Sequence, residues 1–137
     1  MSRQRTFVGL DVHARSVVGY ALDESTGEVW QQLLAADPPG IWGWLESLPQ
    51  PVKVTYEAGP TGYGLARFLH SRGIACPVAA PSKLVRPAGN RVKTDAKDAE
   101  HLCRLLRLDE IVEVIIPDTE QEAARDLVRA REMSAAI

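Results

Sequence analysis

The 137-residue sequence predicts an α/β domain with a mixed five-stranded sheet flanked by helices, and three observations carry that prediction. Three strand-length apolar runs in the first quarter of the chain are separated only by turn-type residues, which is the pattern of an antiparallel meander. A strand, a helix and a further strand then follow with short connections, which is the pattern of a parallel crossover unit. Finally, 45% hydrophobic and 25% charged residues in a chain of this length suit one core large enough to bury most of its apolar surface.

The first strand spans 6–11, where Phe7, Val8, Gly9 and Leu10 lead into Asp11. Side chains alternate along a strand, so Phe7, Gly9 and Asp11 share one face while Val8, Leu10 and Val12 share the other. The polar residues His13, Ala14 and Arg15 form a turn into a second strand at 16–22, and Asp23 to Gly27 supplies a hairpin loop into a third at 29–34. Pro38 and Pro39 break the sheet. A short helix over 41–48 carries Trp42, Leu45 and Leu48 at helical spacing before Pro49 and Pro51 stop it. Residues 52–57 alternate cleanly and end on Glu57, as the first strand ends on Asp11. A loop rich in glycine precedes a helix at 63–72, Gly73 closes it, and 74–79 is a fifth strand.

Beyond residue 81 the texture changes. Lys83, Arg86, Arg91, Lys93 and Lys97 fall among Pro81, Pro87, Gly89 and Asn90, which reads as a basic loop and a candidate nucleic-acid-binding segment. The formal net charge of −2 excludes a wholly basic coat but leaves room for such a local patch. A helix from about Asp95 to Leu108 has Leu102, Cys103, Leu105 and Leu106 as its apolar stripe, and 112–116 is a brief extended segment. Thr119 to Glu122 is a capping-box sequence opening a last helix. The first apolar run is far too short to span a membrane and no signal-type cleavage site follows it, so a cytoplasmic protein is expected. Cys76 and Cys103 suit buried, reduced thiols rather than a disulfide framework.

The chemistry is sought in the acids. Asp95 and Asp98 are three residues apart and stack on one side of a helix, on the side that continues through Leu102 and Leu105. Inward carboxylates are costly unless bonded or paired, and neighbouring acids repel by about 1–4 kcal/mol per pair at contact distance. A divalent cation relieves both costs. Asp11, Glu57, Asp95 and Asp98 are therefore the candidate catalytic and metal-holding residues, an all-oxygen set suited to two Mg2+ or Mn2+ ions and to phosphoryl displacement on nucleic acid. The plainer alternative gives Asp95 and Asp98 to helix capping, Glu57 to a solvated strand end and Asp11 to a turn. The residues alone leave both open. His13 reads more readily as a surface turn residue than as a ligand. His70 and His101 read as solvated helix residues, and Trp30, Trp42 and Trp44 as packing.

Three ordered motifs, Gly9 to His13, Tyr56 to Gly64 and Arg91 to Glu100, resemble the IS one-ten family of insertion-sequence transposases, which is related to the pilin-gene invertases. The likeness extends through Arg125 to Arg131. It implies a ribonuclease H-like fold, similar to Holliday-junction resolvases of the RuvC type, over 1–117. It also implies the start of a coiled-coil helix over 118–137, with a second, serine-bearing domain beyond. By motif match its Asp-Glu-Asp-Asp tetrad falls on Asp11, Glu57, Asp95 and Asp98. The activity implied is metal-dependent cleavage and exchange of DNA strands, guided by a structured bridge RNA, with homo-oligomerisation through the last helix. This chain would be a fragment that does not recombine DNA alone. A non-catalytic nucleic-acid-binding or dimerisation fragment is the alternative. A phosphotransferase of the sugar-kinase and actin type ranks last, because Val12 to Arg15 offers no glycine-rich turn.

Overall fold

The computed structural model describes residues 4–81, 91–118 and the single positions 120, 124 and 127, with the 91–94 stretch described by its backbone. Five strands and three helices follow in the order β1 (Thr6–Val12), β2 (Ser16–Asp23), β3 (Val29–Ala35), α1 (Pro38–Glu46), β4 (Val52–Glu57), α2 (Gly64–Ser71), β5 (Val78–Ala79) and α3 (Arg91–Arg107). The sheet order is β3-β2-β1-β4-β5. β2 runs antiparallel to both β1 and β3, whereas β4 is parallel to β1 and to β5. This is the mixed sheet the sequence predicts, and its arrangement is ribonuclease H-like.

Burial sorts the helices onto the two faces of the sheet. Val8, Leu10, Val17, Ala21, Val54 and Tyr56 pack with Ile41 and Leu45 of α1 and Ala66 and Leu69 of α2 in one apolar core. The opposite face receives α3, which buries Ala99, Leu102, Cys103 and Leu106. Two glycines let the layers close. A Cβ on Gly9 would lie 2.0 Å from the Ala99 carbonyl oxygen and 2.6 Å from the Cys103 nitrogen, so α3 rests directly on the β1 backbone. A Cβ on Gly19 would meet the Trp44 ring at 2.6 Å on the other face.

Three boundaries differ from expectation, each for a local reason. The two prolines read as breaking the chain before the first helix instead open it: Pro38 and Pro39 occupy its first positions, where a missing N–H costs nothing. Asp37 caps it, accepting from the Gly40 N–H at 3.2 Å. The fifth strand shrinks to two residues because Pro77 has no N–H for the ladder. Upstream of it only Ala75 bridges Lys53, and Thr55 Oγ1 donates to the Pro77 carbonyl at 2.7 Å. The segment 112–116 bridges the outer side of β5, with the Val114 N–H donating to the Val78 carbonyl at 2.9 Å.

The third correction bears on the site. α3 begins at Arg91, so Arg91, Lys93 and Lys97 belong to a helix and not to a basic loop. Charged residues and alanine are good helix formers, and neither proline nor glycine follows Asn90 within that stretch. Lys83 and Arg86 lie outside the described residues. So does most of the last stretch, of which Glu120, Ala124 and Leu127 are helical and exposed.

Candidate metal centre

The site forms where the two central parallel strands end. β1 and β4 pair through Leu10 and Tyr56, so one residue further Asp11 and Glu57 stand level on adjacent strands. Alternation turns both toward the face that carries α3. Asp11 is buried at 6% exposure. Asp95 lies a full turn inside α3, one turn before Ala99, and the close seat of α3 on Gly9 brings it to Asp11. A residue so placed does not cap its helix, which removes the plainer alternative for Asp95.

The turn between β1 and β2 completes the cluster. His13 donates its backbone N–H to the Ser16 carbonyl at 2.9 Å, which closes the turn and swings the ring back over the strand end. Its Nε2 stands 2.9 Å from Asp11 Oδ2 and 3.3 Å from Asp95 Oδ2. Ligand atoms of Asp11, His13 and Asp95 all lie within 4.8 Å of one another, the one such metal-competent group among the described residues. Burial pushes the Asp11 carboxyl up to about 6; His13 opposes the rise and the neighbouring Asp95 adds to it.

Of the predicted acids, the structure thus joins Asp11 and Asp95 directly. Asp98 is half-buried on the next turn of α3, and Glu57 is half-buried at the end of β4; neither belongs to the three-residue group. His13, read as a surface turn residue, is instead half-buried between the acids. Its spacing of two from a strand-end aspartate was the available signal, but a tight turn that reverses the ring is not visible in spacing. Lys97 is exposed on α3. His70 is exposed, as expected, though its Nε2 lies 3.0 Å from the Cys76 carbonyl oxygen. Both thiols are buried and outside any disulfide, and burial pushes each up to about 12, which disfavours the thiolate.

A group of two carboxylates and an imidazole on elements far apart in sequence now stands at the end of a ribonuclease H-like sheet. The family model described as transposase, the DEDD type of IS110 elements, matches residues 8–136. The chain belongs to this transposase family. Two curated relatives agree. The protein y4qE of Sinorhizobium fredii, which carries a transposase name, is 44% identical over 134 residues, covering 93% of this chain and 34% of its own length. The transposase for insertion sequence element IS1533 of Leptospira borgpetersenii is 33% identical over 135 residues, 95% of this chain and 39% of its own. The chain therefore spans little more than a third of either relative.

The donor set fits a divalent cation. Hard carboxylate oxygens suit Mg2+ and Mn2+, and the imidazole nitrogen moves the preference toward Mn2+. Among the described residues, no helix is long and apolar enough to cross a membrane.

Proposed function

We propose that this chain is the metal-dependent nuclease module of a DNA transposase, acting in strand cleavage and exchange. The observation that carries the proposal is the convergence of Asp11, His13 and Asp95, from β1, its turn and α3, in a chain of the DEDD transposase family. In this reading Asp11 and Asp95 hold Mg2+ or Mn2+, and Glu57 and Asp98 complete the tetrad for a second ion. Bound cations supply charge stabilisation for both the attacking and the leaving oxygen of an in-line phosphoryl displacement.

The chain's own residues do the rest. His13 Nε2, within reach of both acids, offsets their repulsion and keeps them together before a cation arrives. Gly9 holds α3 close enough for Asp95 to reach the strand end. Lys83, Arg86, Arg91, Lys93 and Lys97 bind the phosphate backbone, supplying the positive charge that the chain as a whole lacks. Target choice by a structured bridge RNA, pairing of copies through the last helix, and dependence of recombination on a further serine-bearing domain complete the proposal. Recombination by this chain without added protein would overturn that last part.

Calorimetry with Mn2+ and Mg2+ tests the centre. The parent chain binds Mn2+, and Asp11→Asn and Asp95→Asn each lose binding while keeping the fold. Equal binding in parent and variants would place the cation elsewhere. An absence of binding in the folded parent would favour a non-catalytic nucleic-acid-binding module.

A further inference from the structure

A cavity of about 510 Å³ opens beside the metal centre on the opposite face of the sheet, and nothing in the cleavage chemistry uses it. It is lined by Val12 and Val17, Ile41 of α1, Tyr56 of β4 and Leu65 of α2, together with the polar residues His13 and Thr61. The position follows from the topology. β1 continues to β2 on one side while β4 continues through α2 to β5 on the other, so the connections part and leave a crevice beyond the strand ends. α2 begins there with Tyr63 as its N-cap, which gives no side-chain acceptor to the first amides of the helix, and Gly64 and Leu65 both line the cavity.

We infer that this cavity receives one unstacked nucleobase of the DNA strand whose phosphate lies at the metal centre. The inference rests on the proposed function and names a subsite for it. Three features select a base over another apolar group. His13 belongs to both places: it is among the residues lining the cavity while its Nε2 stands in the acid cluster, so a base and its adjoining phosphate would lie on either side of one residue. The lining is mainly apolar with a few polar residues among it, which is how flat heterocycles are held and oriented. The Ala66 N–H already donates to the Tyr56 hydroxyl at 3.2 Å, so the donors toward the acceptor-rich edge of a base are the Gly64 and Leu65 amides and the Thr61 hydroxyl.

The experiment titrates the methyl-labelled chain with deoxyadenosine monophosphate in the presence of Mg2+, followed by NMR, with deoxyribose phosphate as the baseless control. The nucleotide shifts the methyls of Val12, Ile41 and Leu65, and the sugar phosphate leaves them in place. Ala36→Trp fills the cavity from an exposed position in the β3–α1 connection and so spares the core. It weakens the nucleotide by about tenfold or more, equivalent to about 1.4 kcal/mol, and leaves Mn2+ affinity unchanged. Equal methyl shifts with the sugar phosphate, or undiminished nucleotide affinity in Ala36→Trp, would overturn the base site. The Mn2+ titration of Asp95→Asn judges the metal centre separately, so failure of the cavity and failure of the centre are told apart.

Discussion

Two buried aspartates on neighbouring strands titrate in opposite directions, and their partners explain why. Asp23 is met by Arg5, whose Nε and Nη2 donate at 3.3 and 3.2 Å, and by the Ser25 N–H at 2.8 Å, so its carboxyl falls to about 2. Asp11 is enclosed beside another acid and rises to about 6. The signs of the linked stabilities differ accordingly. The Asp23 contribution is present above its ordinary value of 3.8 and is lost as pH falls through about 2. For Asp11 the folded state binds the proton more tightly than the unfolded state, so stability declines as pH rises from 3.8 toward about 6. Melting temperatures of the metal-free chain across that window should fall with pH, and Asp11→Asn should flatten the decline. Mn2+ should restore stability more strongly at pH above about 6, where the cation meets a carboxylate already charged. His13→Ala should weaken Mn2+ by about 10–100-fold if the imidazole orders the acids as a ligand or neighbour. An unchanged Mn2+ isotherm would return His13 to the surface role its sequence context suggests.

At the scale of elements, the centre depends on how closely α3 seats on β1. Gly9→Ala places a methyl where the Ala99 carbonyl oxygen and the Cys103 nitrogen already are, and both are backbone atoms that no rotamer change removes. The helix must move outward. The expected cost is about 1–3 kcal/mol in denaturant unfolding, with loss of Mn2+ binding because Asp95 moves with the helix. Retained stability and Mn2+ affinity would show that α3 does not set the spacing of the acids. The same element shows what the sequence could and could not reveal. Strand alternation placed Asp11 and Glu57 each at the end of a strand without any fold in hand, and the spacing of Asp95 and Asp98 with Leu102 and Leu105 placed those aspartates on the inward side of a helix. The start of α3 was hidden because its first turn is basic and follows Pro87, Gly89 and Asn90, so local composition resembled a loop. The start of α1 was hidden for the converse reason: proline ends a helix in its interior yet suits its first position, and only the cap at Asp37 decides between them. His13 was hidden because its role depends on a turn whose direction no periodicity records.

For the whole molecule, charge is the controlling quantity in meeting a polyanion. A net charge of −2 gives no long-range attraction to DNA, and the acid cluster at the strand ends repels phosphate where the proposed chemistry needs it. In the proposed function, binding comes from the basic residues of the sequence that continue into α3, with the cluster neutralised by cations. Two consequences follow for fluorescence anisotropy with a short DNA duplex. Without divalent cation, Asp98→Asn should raise affinity, because it removes a negative charge beside the phosphate path. With Mg2+ present, Lys97→Ala should weaken binding uniformly across sequences and reduce the slope of log K against log salt by about 1, the signature of one lost phosphate contact. A parent slope near zero would mean that DNA does not track the basic run, and an unchanged slope in Lys97→Ala would place the phosphate path away from the exposed side of α3. Because Lys97 lies between Asp95 and Asp98 on the same helix, the slope and the Mn2+ isotherm together test whether one helix both grips the backbone and supplies the metal-holding acids.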